Sequence, residues 1–350
     1  MRKSVTLLVL ATLVIISLPS LSFSQVPSAA NKTYRGDINE NGAIDIFDLL
    51  DLLKMLSNPD GFTDRSKRIA DVNSSGNIEI FDLIELLKLL SGVSQPQVID
   101  LDPLPGEIEI IQGIELAFIP SGSFQMGTNN TDYDWLKHSR PVHTVSLDSF
   151  RIGVYEIAQE QYQEIMGTNP SNSPGYDKRP VEQVSWYDVV EFCNRLSVFA
   201  GLDSCYNLTS WECDFTKHGF RLPTEAEWEY ACRAGTITNY YTGNSLNALD
   251  KAGWYEDNSG ETTHPVGEKE PNAWGLYDMH GNVWEWCNDW WSDNYSGNSE
   301  HNPTGPNIGS YRIFRGGSWT HDPYGCRSAY RVSYSPNNID SDIGFRVVLR

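Results

Sequence analysis

Gly275-Leu276-Tyr277-Asp278-Met279-His280-Gly281-Asn282-Val283-Trp284-Glu285-Trp286 is the stretch on which the fold turns. It sets a Gly-Asn turn among tryptophans, inside a region that is mostly loop rich in Gly, Asn and Trp. Upstream stands Phe220-Arg221-Leu222-Pro223-Thr224-Glu225-Ala226-Glu227-Trp228-Glu229-Tyr230, and downstream come Phe314-Arg315-Gly316-Gly317-Ser318-Trp319 and Ile343-Gly344-Phe345-Arg346. Short strands are expected near 115–119, 123–126, 144–152 and 344–349. Two helices are expected between them. One starts after Ser185, with Asp188 at its third position, and stops at Gly201; the other starts at Thr224, with Glu227 completing a capping box, and ends at Cys232-Arg233-Ala234-Gly235. So few regular elements bury few backbone groups on their own, and the loops must be pinned by aromatics, disulfides or ions. The expected class is α+β of low regularity.

These four motifs, in this order, resemble the formylglycine-generating enzyme family, also called sulfatase-modifying factors, and the likeness covers 113–350. The resemblance implies a fold related to C-type-lectin-like domains. It also implies a structural calcium held by Asp278, the carbonyls of Gly281 and Val283, and Glu285. The alternative for Glu285 is a plain ion pair with an arginine.

The segment Arg315 to Cys326 is where the resemblance breaks. Members of the family that oxidise cysteine carry two thiols, three and eight residues after the serine matching Ser318, and these hold Cu(I). Here those positions are His321 and Cys326. The linear two-thiolate geometry and the thiol exchange step are lost, so copper is not expected. An oxidase that uses Cys326 with His321 is the alternative. Cys326 is expected in a structural disulfide with Cys287, Cys205 is expected to bridge Cys213, and Cys193 and Cys232 are expected as buried thiols. Around them a pocket is expected from Ser318, Trp319, Asp322, Arg327 and Arg331, near Trp284 and Trp286. Aromatic faces beside Asp and Arg suit a peptide or a carbohydrate, and equally suit core packing.

Nearer the start, Asp37-Ile38-Asn39-Glu40-Asn41-Gly42-Ala43-Ile44-Asp45-Ile46-Phe47-Asp48 repeats as Asp71-Val72-Asn73-Ser74-Ser75-Gly76-Asn77-Ile78-Glu79-Ile80-Phe81-Asp82. Side-chain oxygens recur at positions 1, 3, 5, 9 and 12, with Gly at 6 for the sharp bend and a carbonyl at 7. A hard cation needs that spacing. The expected calcium ligands are Asp37, Asn39, Asn41, Ala43, Asp45 and Asp48 in the first loop, and Asp71, Asn73, Ser75, Asn77, Glu79 and Asp82 in the second. Ser75 makes the second site the weaker. An amphipathic helix follows each loop, and none enters the first. Paired loop-helix units of this kind, here 34–92, resemble a type I dockerin, which implies a cohesin-type scaffold partner. Positions 10 and 11 carry recognition in that family; here they are Ile46-Phe47 and Ile80-Phe81, a hydrophobic contact surface or core.

At the very start, Arg2-Lys3 precedes an apolar run ended by Pro19 and small residues, an expected signal peptide over 1–24 cut near Ser24. The product is expected outside the cytoplasm, secreted or periplasmic, with no membrane insertion. A formal charge of −20 disfavours nucleic acid. A 350-residue chain with 11 Trp and 17 Tyr can fill more than one core. Prolines in 93–112 mark a linker. The composite expectation is an exported protein whose calcium-stabilised module tethers a domain that binds rather than oxidises.

Overall fold

The computed structural model describes residues 36, 38, 44, 46–57, 62, 67, 69–72, 78, 80–90, 103, 105–131, 134–172 and 178–350. The expected signal peptide, residues 93–102 of the expected linker, and loop residues Asp37, Asn39, Asn41, Ala43, Asp45, Asn73, Ser75, Asn77 and Glu79 lie outside these. The chain divides into two units, Met1–Asp102 and Pro103–Arg350.

In the first unit the leucine stripes form helices α1 (Ile46–Ser57) and α2 (Ile80–Leu90). Leu49, Leu52 and Met55 of α1 pack with Leu86 of α2 and with Ile38, Ile44 and Ile69 into one buried cluster. Asp48 and Asp82, at position 12 of each repeat, are fully buried in the first turns of these helices. The Oδ1 of Asp48 accepts a hydrogen bond of 2.7 Å from the backbone N–H of Ile38, which closes the first loop on itself. Phe47 is 61% exposed and so is not a core residue, while Leu50 and Ile84 are also exposed.

The second unit is built on three sheets. The first orders β1 (Ile108–Ile111), β2 (Ile114–Ile119), β5 (Phe150–Gly153), β12 (Val348–Leu349) and β6 (Phe220–Arg221), all antiparallel. The second orders β10 (Val332–Tyr334), β9 (Arg312–Arg315), β7 (Trp284–Trp290) and β11 (Ile343–Gly344), the last pair parallel. The third joins β3 (Gly122–Met126), β4 (His143–Leu147) and β8 (Glu300–His301). The single strand expected over 144–152 is two strands in different sheets, and so is the one over 344–349. Asp148 and Ser149 turn the chain between β4 and β5.

Helices α3 (Gln159–Met166), α4 (Trp186–Phe199), α5 (Glu225–Arg233) and α6 (Leu246–Ala252) complete the unit. The capping box expected at Thr224 is present, and the helix that starts after Ser185 has one as well. The Ser185 hydroxyl accepts the Asp188 N–H at the start of α4, and Thr224 does the same for Glu227 in α5. Trp186, Phe192, Trp286 and Phe345 centre one apolar cluster, and Trp228, Met279, Cys287 and Ile152 centre a second.

Buried ion pairs run through these clusters. Arg221 and Glu227 meet through two bonds of 2.7 Å. Glu229, fully buried, takes Arg233 at 2.8 Å and Arg315, and Glu225 takes Arg331 at 2.7 and 2.8 Å. Arg346 grips Glu285 with two bonds of 2.6 Å.

Candidate functional site

Strand β9 ends at Arg315 and runs into Gly316 and Gly317, both with positive φ. Any side chain at Gly317 would collide with the Cys326 sulfur, so glycine there is a packing requirement as well as a conformational one. The chain then delivers Ser318 into a polar cluster. The Ser318 hydroxyl donates to Asp342 Oδ2 at 2.7 Å, and the Thr320 hydroxyl donates to the same oxygen at 2.8 Å. His321 Nδ1 lies 2.8 Å from Ser318 Oγ and receives the indole N–H of Trp284 at 3.1 Å. An indole can only donate, so this Nδ1 is unprotonated and the ring proton sits on Nε2. Burial works against the Asp342 carboxylate, but the hydroxyl donors of Ser318 and Thr320, with the His321 ring beside them, outweigh it and hold the carboxyl below its ordinary value.

Cys326 has other surroundings. Its side chain is fully buried with Tyr240, Leu249 and Tyr255, and burial drives the thiol far above its ordinary pKa. A thiol held protonated is a poor nucleophile. His321, by contrast, is 46% exposed at its side chain and tied to Trp284 and Ser318.

The remaining expected ligand residues separate. Trp319 is half-buried and donates to the Ser341 carbonyl. Asp322 is exposed and caps the N–H of Gly325 at 2.9 Å. The Arg327 guanidinium lies over Tyr324 and Trp135, at 5.0 and 5.6 Å. Arg331 is buried in its pair with Glu225, between the rings of Trp291 and Tyr295, and lines a different cavity of about 650 Å³.

Neither expected disulfide is present: all six cysteines are free thiols. Cys287 belongs to the Trp228 cluster and Cys326 to the Tyr240 cluster, with the two sulfurs facing different packing. Cys213 pairs across an isolated bridge with Tyr206, one residue out of register from Cys205, and both thiols pack on the Trp186 cluster without bonding to each other. The Cys205 sulfur approaches the Lys217 carbonyl.

The expected calcium set also needs correction at Glu285. Both its oxygens are taken by Arg346, and Oε2 also accepts the Trp228 indole N–H at 2.7 Å. Glu285 therefore does not fit an ion there. Asp278 keeps one buried oxygen, Oδ1, without a partner, while Oδ2 accepts the Gly267 N–H. Burial raises the Asp278 carboxyl to about 6. Among the described residues no group of three or more His, Cys, Asp and Glu could hold a metal. The turn is organised by Glu156, which sequence reasoning missed. It accepts the Val283 N–H at 3.0 Å and the Asn282 amide at 2.7 Å. Nothing near Glu156 in the sequence signals this role.

A low-regularity α+β domain with a polar Ser-His-Asp cluster and a sealed thiol, preceded by a small helical unit, is the class these features define. Residues 107–350 match the sulfatase-modifying factor enzyme 1-like domain, and residues 35–91 match the dockerin type I domain. The chain belongs to the sulfatase-modifying factor enzyme 1-like family. It is similar to chaperone protein LppX of Paenibacillus barcinonensis, with 32% identity over 67% of this chain and 89% of that protein. It is also similar to the formylglycine-generating enzyme of Mus musculus, with 28% identity over 65% of this chain and 73% of the enzyme. The serine/threonine-protein kinase pkn1 of Chlamydia caviae is 32% identical, but the chain spans only 37% of its length. Among solved structures, Treponema denticola variable protein 1 shares 39% identity with a TM-score of 0.64, covering 69% of this chain and 98% of the other. No described helix is long and apolar enough to cross a membrane.

Proposed function

We propose that this chain is an exported, scaffold-tethered binding protein, not an oxidase. The observation that carries the reading is Cys326, a buried thiol whose pKa burial raises, with a histidine at the position where a second thiol would be needed. One relative is named a chaperone protein, another a formylglycine-generating enzyme; the chemistry at 321 and 326 favours the former kind of role. The ligand is a peptide or a carbohydrate, met by the surface of Trp319, Asp322 and Arg327 beside the His321 cluster. Residues 34–92 take calcium in two loops and engage a cohesin-type domain. Buried aspartates at position 12 of both repeats fit a cation.

Incubating the protein with Cu(I), oxygen and a Cys-x-Pro-x-Arg peptide, then measuring peptide mass, should return unmodified cysteine. Appearance of the aldehyde would establish the alternative, an oxidase using Cys326 with His321. For the tether, calcium titration should increase helical signal and chelator should reverse it; a chain indifferent to both would refute the calcium module.

A further inference from the structure

Six arginines are buried in the second unit: Arg221, Arg233, Arg312, Arg315, Arg331 and Arg346. Five of them sit against a carboxylate. Arg312 forms no ion pair among the described residues. Its guanidinium lies 3.7 Å from the ring centre of Trp186 and 3.4 Å from that of Trp290, a sandwich between two indoles. It also donates to the Asn288 carbonyl, while its Nε has no partner. Burial lowers the Arg312 pKa to about 10, whereas carboxylate partners raise those of Arg331 and Arg346. The Asp289 charge offsets that burial only in part, and a buried guanidinium with no paired carboxylate is costly unless something else supplies one.

Arg312 lines an open groove of about 1040 Å³. The groove lies away from the Ser318 cluster and shares no lining residue with it. One wall is the segment around Trp211 and Phe215; the other is the segment from Thr304 to Gly309. Trp211 is held at φ +63°, a conformation that bulky side chains rarely adopt, and its ring packs on Tyr187 at 4.5 Å. Asn207 braces that wall by accepting the N–H groups of Thr209 and Ser210. Gly309 presses on Trp290 so closely that an added Cβ would come within 2.8 Å of it. The walls are therefore preformed.

We propose that this groove binds a saccharide that carries a single carboxylate, with Arg312 as its counter-charge. Half-buried aromatic rings offer flat faces to the C–H faces of sugar rings, and the amides of Asn207 and Asn307 suit hydroxyls. The planar guanidinium suits a carboxylate bidentately. Glu212 and Asp214 line the groove together with Lys217, whose ammonium is held by the Ser204 carbonyl, so the two carboxylates disfavour a polyanion and one acidic group among neutral ones is favoured.

The test titrates the full-length protein with aldotetraouronic acid, with neutral xylotetraose and with tetraglutamate, read by tryptophan fluorescence and calorimetry. The acidic sugar should bind roughly tenfold tighter than the neutral one, and the peptide should not bind. Arg312→Met should erase the preference for the acid while leaving neutral-sugar binding in place, a change that general loosening of the fold would not produce. Trp211→Ala should weaken both sugars together. Equal affinity for both sugars, retention of the acid preference in Arg312→Met, tighter binding of tetraglutamate, or no binding of the acidic sugar would each overturn the proposal.

Discussion

Arg346→Met tests the reassignment of Glu285 from ion ligand to ion-pair partner. Both side chains are fully buried, and Arg346 also donates to the carbonyls of Gly153, Val154 and Tyr277. Removing it leaves the Glu285 carboxylate with only the Trp228 N–H and takes a donor from three carbonyls, of which Val154 keeps the Tyr277 N–H. Breaking one partner of a buried pair costs about 3–5 kcal/mol. For a domain of this size each kcal/mol moves the melting temperature by about 2–4 °C, so a drop of roughly 6–20 °C is expected. All 11 tryptophans lie in the second unit, so their fluorescence reports its unfolding without interference from the helical repeats. The double variant Glu285→Gln with Arg346→Met should cost less than the sum of the two single changes, because no lone charge remains buried. Chelator should leave this transition unmoved. A drop under about 2 °C in Arg346→Met would refute the pairing. So would a chelator effect on the wild type that vanishes in Glu285→Gln.

Three further outcomes follow from the same geometry. Burial raises Asp289 to about 8, with the Glu225 charge adding to the effect, so the folded state retains a proton that the unfolded chain has lost. Its contribution is therefore complete below the unfolded pKa near 4 and is lost as pH rises toward 8; compared with Asp289→Asn, wild-type stability should fall by up to about 1.4 kcal/mol per pH unit across that window, and parallel denaturation curves would contradict the assignment. Thiol labelling followed by mass mapping should find Cys326 and Cys287 unmodified in the folded protein and all six cysteines modified in denaturant without reductant; an intact bridge would show that the sulfurs pair after all. Ser185→Ala should cost about 1 kcal/mol by removing the cap of α4, and unchanged stability in urea would remove that cap from the account.

The parts of the fold that were legible are those written locally. Ser185 with Asp188 and Thr224 with Glu227 each spell a helix start within four residues, and both helices begin there. The run 144–152 reads as one strand, yet Asp148-Ser149 puts two polar residues in succession and shifts the alternation there; the pairing of β4 with β3 and of β5 with β2 shows the same break. Of the expected site residues Ser318 and His321 come together, whereas Trp319, Asp322, Arg327 and Arg331 make their contacts elsewhere. Asp342 and Glu156, which hold the cluster and the turn, lie 24 and 126 residues from Ser318 and Asn282. Nothing local distinguishes them from other acidic residues. Cysteine counting failed for a related reason: nothing local shows that Cys287 and Cys326 belong to different packing clusters.

The ion pairs explain why the four motifs look as they do. The Phe220 to Tyr230 motif supplies Arg221, Glu225, Glu227 and Glu229; the Trp284 motif supplies Glu285; the Phe314 and Ile343 motifs supply Arg315 and Arg346. Each charge is buried and meets its partner across a different element. A domain with short strands, and with no disulfide among its described residues, thereby gains specific long-range attachments, and losing one partner of a pair is more damaging than never having had the pair. The motif charges are consequently the frame, and the chemistry is free to vary in what the frame displays. His321 and Arg312 are displayed positions of that kind: one stands where a copper site would need a thiol, and the other is the buried arginine that the frame leaves without a carboxylate.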